Sequence, residues 1–165
     1  MFVRQLPTKN QQMPDTPYAF DDLSYQLQIY CLFSKGGIMK VLIADDSEIL
    51  RDRIKESLRD LNMVEIIGEA KNGIEALKII KEQKPDFILL DLRMPELNGF
   101  EVLKKIRENG YKPKVCIYTN YAYTQYKKRC IKEGADYFFD KNSDFEDVKN
   151  LIINLVQNFE QANDL

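Results

Sequence analysis

From Met39 onward the chain alternates short apolar runs with amphipathic stretches. The runs "KVLIAD", "VEIIGEA", "FILLD", "KVCIYT" and "YFFD" have the residue types of strands. The segments between them have helical spacing. Ile49, Leu50, Ile54, Leu58 and Leu61 recur at steps of three to five residues and predict one apolar helix face. Ile74, Leu77 and Ile80 predict a second helix, in "NGIEALKIIKEQ". A third is expected from about Phe100 to Glu108 and a fourth from about Tyr123 to Glu133. The last opens at Ser143-Asp144-Phe145-Glu146, which has capping-box spacing, and Val148, Leu151, Ile152, Leu155 and Val156 form its stripe. Five strands alternating with five helices predict βαβ units, and hence a parallel sheet covered on both faces. "FILLD" is apolar throughout, as a strand buried on both faces should be.

The first 38 residues do not follow this pattern. "QLPTKNQQMPDTP" is polar, proline-containing and aperiodic, and "LSYQLQIYCLF" suits one short amphipathic helix or strand. No signal peptide is expected there. Lys35-Gly36-Gly37 can be encoded by a ribosome-binding sequence just ahead of the codon for Met39. Residues 1–38 are therefore expected to be a translated leader, with a genuine flexible extension as the alternative. Residues 39–160 form the predicted domain, and 161–165 a tail too short to be an output domain.

Composition narrows the chemistry. The chain has 165 residues, 44% hydrophobic and 30% charged, with a net charge of −2. That balance fits one globular domain and gives no support to a nucleic-acid or membrane-surface binder. No apolar run approaches the roughly 18 residues of a membrane span. Cys31, Cys116 and Cys130 include no CxxC pair, so neither a disulfide framework nor a zinc site is expected, and a reducing cytoplasm is the natural setting. Cys116 reads as a small core residue. Histidine is absent, which excludes Ser-His-Asp and Cys-His catalysis and any phosphohistidine on this chain.

The predicted strands end in chemically distinctive residues. The first ends in Asp45-Asp46, the third in Asp91 and the fourth in Thr119, and the fifth is followed by Lys141. In a parallel sheet these ends share one edge, where ligands bind. Taken singly, each Asp would serve as a helix cap or sit in a solvated turn. Taken together, three carboxylates within about 4–6 Å penalise one another's ionisation. A divalent cation removes that penalty, and an oxygen-only donor set favours Mg²⁺ or Mn²⁺. Lys141 and Thr119 add a charge and a donor suited to an anionic PO₃ group, with Asp91 as the nucleophile.

The segments "VLIADDS", "LLDLRMPELNGFEVL", "IYTN" and "GADYFFDK" make residues 39–160 resemble the receiver domain of two-component response regulators, the CheY-like family. The resemblance implies a flavodoxin-like three-layer α/β sandwich, with a five-stranded parallel sheet of order 2-1-3-4-5 and five helices. It implies that Asp91 is the phosphoacceptor, that Asp46 binds the metal directly and Asp45 through water, and that Asp91 and the Arg93 backbone carbonyl complete the metal set. Thr119 and Lys141 would hold phosphoryl oxygens, and Phe138 would be the aromatic that swings between exposed and buried rotamers; its plain alternative is core packing. Arg93, Asn120 and Tyr121 would modulate access. Asn142 stands where the family often has proline, so that peptide bond is expected to be trans.

The expected function is a stand-alone receiver in the cytoplasm. A sensor histidine kinase or a histidine phosphotransfer protein would phosphorylate it with Mg²⁺, and it would signal to an unknown protein target without nucleic acid or membrane. A relay intermediate, a phosphate sink and a non-phosphorylated scaffold are alternatives. A haloacid-dehalogenase-type phosphatase would need a second acid where Arg93 stands, and a dinucleotide enzyme a glycine-rich turn where "DDSEIL" stands.

Overall fold

A computed structural model describes residues 37–163; the expectations for residues 1–36 and the last two residues lie outside the described residues. In chain order the elements are β1 (Met39–Ala44), α1 (Glu48–Leu58), β2 (Val64–Ala70), α2 (Gly73–Gln83), β3 (Phe87–Leu90), α3 (Gly99–Glu108), β4 (Lys114–Thr119), α4 (Thr124–Lys132), β5 (Tyr137–Asp140) and α5 (Phe145–Asn163). The sheet order is β2-β1-β3-β4-β5 and every pairing is parallel, as the resemblance implied.

Strand alternation divides the core into two layers. Val41, Ile43, Phe87, Leu89, Cys116 and Tyr118 pack with Ile54 and Leu58 of α1 and with Val148, Ile152 and Val156 of α5. Leu42, Ala44, Ile88, Leu90, Val115 and Ile117 face α2, α3 and α4 instead. β3 is buried at all four positions, as its unbroken apolar run predicts.

Three local expectations are corrected. Ile49 is 83% exposed and Ile74 55% exposed, although the apolar spacing places both on buried stripes. Ile49 lies five residues before the buried Ile54, which at about 100° per residue turns it some 140° off that face. Ile74 lies six before Ile80, and its helix buries Ala76 instead. The expected capping box at Ser143 and Glu146 is not formed. Asp144 precedes the helix, accepts from the Asp140 N–H at 2.9 Å, and through its own carbonyl accepts the Val148 N–H. A capping box does form at α3, between Asn98 and Glu101, where the sequence reading placed none.

Candidate functional site

The parallel ladder brings the acids together. The Asp91 N–H donates to the Ala44 carbonyl and the Asp45 N–H to the Ala70 carbonyl, both at 2.9 Å, so the turns leaving β1 and β3 start side by side. Neither Asp45 nor Asp91 caps a helix. Ser47 caps α1 by accepting from Leu50, and Asn98 caps α3. The capping explanation for Asp45 and Asp91 therefore fails. Gly99 lies so close behind Asp91 that a methyl group there would overlap the Asp91 carbonyl, which fixes the approach of α3 to the site.

Asp45, Asp46 and Asp91 each offer a carboxylate oxygen, and these oxygens lie within 4.8 Å of one another. Asp45 and Asp91 are buried, and Asp46 is exposed. Lys141 reaches in from the end of β5 and bridges the buried pair. Its Nζ is 2.5 Å from Asp45 Oδ2 and 3.1 Å from Asp91 Oδ2. The other oxygens of the pair accept backbone N–H groups, Asp45 Oδ1 from Ser47 at 2.9 Å and Asp91 Oδ1 from Leu92 at 2.7 Å. Burial pushes the Asp45 carboxyl above the usual carboxylate range, against the pull of the Lys141 ammonium and the Ser47 N–H.

Three carboxylates facing one ammonium leave the rim with two uncompensated negative charges. All the donors are hard oxygens, and the exposed Asp46 leaves one side open. This set fits a Mg²⁺- or Mn²⁺-sized dication.

Thr119 is fully buried beside them. Its Oγ1 accepts the Tyr121 N–H at 3.3 Å, and its carbonyl accepts the Lys141 N–H at 3.1 Å, which ties the ends of β4 and β5 together. The structure thus joins Asp45, Asp91 and Lys141 through direct contacts, with a carboxylate oxygen of Asp46 within 4.8 Å of the other acids and Thr119 on the adjoining strand end. Phe138 is half-buried against the α2–α3–α4 side of the core. Arg93 is exposed and lies on Tyr121: its guanidinium carbon is 4.2 Å from the ring centroid, and Nη1 donates to the phenol oxygen at 3.0 Å. Asn120 is exposed between these elements. The Lys141–Asn142 bond is trans, and Asn142 is held by Asp140 Oδ1. The sequence reading passed over Arg51, which reaches the Asp45 carbonyl from α1.

Comparison with known proteins agrees with this geometry. The family model of the response regulator receiver domain matches residues 41–153. The virulence-factor transcription regulator BvgA of Bordetella pertussis is 35% identical over 111 residues, covering 67% of this chain and 53% of BvgA. The nitrate/nitrite response regulator NarL of Escherichia coli is 32% identical over 108 residues, covering 66% of this chain and 50% of NarL. The REC domain of the response regulator AraT from Geobacillus stearothermophilus superposes with a TM-score of 0.68 at 29% identity, covering 76% of this chain and 98% of that one. The CheX–CheY complex with BeF₃ and Mg²⁺ from Borrelia burgdorferi gives a TM-score of 0.65 at 27% identity, covering 71% of this chain and 88% of that one. This chain spans about half the length of the curated relatives it matches. Among the described residues, no helix is long and apolar enough to cross a membrane. The ladder, the acid cluster with its bridging lysine and the match over most of the chain together place this protein in the response regulator receiver domain family.

Proposed function

We propose that Asp91 accepts a phosphoryl group from the phosphohistidine of a sensor kinase or a histidine phosphotransfer protein, and that the resulting acyl phosphate switches a protein-binding face. The observation that carries this reading is the single ammonium of Lys141 lying between buried Asp45 and Asp91, beside the open carboxylate of Asp46. A carboxylate oxygen of Asp91 forms the new O–P bond as the donor's N–P bond breaks, and the released imidazole takes its proton from solvent. Lys141 is already within reach of Asp91 and can pair with a phosphoryl oxygen once one arrives. The hydroxyl of Thr119 accepts from Tyr121, so its own proton remains free to donate to the same group.

Asp45, Asp46, Asp91 and the Arg93 carbonyl would hold the Mg²⁺ or Mn²⁺. Once bound, the ion offsets the charge of the acids and of the phosphoryl oxygens. Phe138 would change rotamer as Thr119 is drawn towards the phosphoryl group, shifting a pre-existing two-state equilibrium at the face formed by α4, β5 and α5. Arg93 and Tyr121 form one stacked unit, so with Asn120 they would tune access together. Receiver domains are in general signal transducers rather than enzymes, and here the protein's own chemistry would be confined to gaining and losing this phosphoryl group. A phosphatase of the dehalogenase type is disfavoured, because the side chain two residues beyond Asp91 is an exposed guanidinium resting on Tyr121.

Borohydride reduces an acyl phosphate to an alcohol and so marks the acceptor. After treatment with acetyl phosphate and Mg²⁺, reduction should convert residue 91 to homoserine in a peptide map. Reduction at another carboxylate, or at none, contradicts the assignment.

A further inference from the structure

Among the described residues, Asp46 is the acid of the site that no side chain positions. Its carboxylate is exposed, and among the described residues nothing donates to it. Asp45 is clamped by Ser47 and Lys141, and Asp91 by Leu92 and Lys141. The place of Asp46 therefore follows from its backbone. The Asp45 carbonyl and the Asp46 amide belong to one planar peptide unit, so whatever holds that oxygen also orients the bond from which Asp46 hangs.

Arg51 Nη1 donates to the Asp45 carbonyl at 2.8 Å from one turn into α1. Its Nε donates to Glu69 Oε2 on β2 at 3.0 Å. The other oxygen of Glu69 takes the Lys55 ammonium at 2.7 Å, and that ammonium also meets Asp52 at 2.8 Å. The Arg51 side chain is 13% exposed, so its fork sits in a fixed, mostly enclosed frame. The preceding peptide is tied to the same strand through the Asp45 N–H and the Ala70 carbonyl.

We infer that Arg51, braced by Glu69, is a positioning residue for the cation site: it sets the peptide plane that aims the exposed Asp46 carboxylate. This inference rests on the proposed reading that the acid cluster holds a divalent ion. Two roles for Arg51 predict opposite signs. A cation that merely sits near the site repels a dication, so removing it should tighten binding. A cation that orients a ligand's backbone should weaken binding when removed, on the order of tenfold or more, as loss of groups supporting metal ligands usually does.

The test is Mn²⁺ binding to the full chain, read from the free-ion EPR signal, for the unaltered protein, Arg51→Gln and Arg51→Lys, with thermal unfolding of each in parallel. Arg51→Lys keeps the charge but not the planar fork, so it guards against the glutamine variant failing to fold. Both variants should bind Mn²⁺ about tenfold or more weakly, with a loss that does not follow the change in unfolding temperature. Unchanged or tighter binding by a folded variant, while the unaltered chain binds normally, overturns the role of Arg51. An unaltered chain that binds no Mn²⁺ overturns the metal reading itself.

Discussion

Tyr118 shows how a single group can be out of balance in this core. It is 1% exposed, and its hydroxyl has no hydrogen-bond partner among the described residues. Burial pushes its pKa up, with the nearby Arg53 charge opposing. Leaving a buried hydroxyl unpaired costs about 1–3 kcal/mol. Tyr118→Phe should therefore stabilise the protein, by about 1 kcal/mol in urea unfolding; a loss of stability would show that the hydroxyl is satisfied in solution. At this scale the sequence was informative about which side chains meet at the strand ends. Asp45, Asp46, Asp91, Thr119 and Lys141 were legible because a parallel sheet puts the carboxyl ends of its strands on one edge. Arg51 was not legible. In "EILRDRIKE" it looks like any charged residue on a solvated helix face, and its contact runs to a backbone carbonyl that side-chain patterning does not reveal.

Among the elements, α1 and β2 are joined by charge as well as by packing. Arg51 and Lys55 converge on Glu69. Burial raises the Glu69 pKa, but the two cations outweigh it and leave the carboxyl below its ordinary value of 4.5. A carboxyl whose pKa is lowered by folding contributes its stability in full above the unfolded value and loses it as pH falls through the folded one. The native protein should therefore lose stability below about pH 4.5 more steeply than Glu69→Gln does. Equal acid slopes in the two proteins would show that the ion pairs contribute nothing. The element pattern itself was legible from periodicity, since all five strands and five helices appear where the apolar runs placed them. Helix starts were less so. Ile49 and Ile74 fit a loose count of steps but not the angle of the buried face, and the Ser143 cap lost to Asp144, which bonds back to Asp140.

For the molecule as a whole, the sheet order gathers three carboxylates from two turns, with Lys141 from a third, into one rim whose negative charge Lys141 only partly offsets. We propose that this rim loads a phosphoryl group onto Asp91 with the help of a dication. The most direct measurement is the intact mass of the full chain after incubation with acetyl phosphate, with Mg²⁺ present and with Mg²⁺ removed by EDTA, for the unaltered protein and for Asp91→Asn. A gain of one phosphoryl group is expected in the unaltered protein with Mg²⁺, and none after chelation or in Asp91→Asn. An unchanged mass in the unaltered protein with Mg²⁺, or a phosphoryl group on Asp91→Asn, would contradict it.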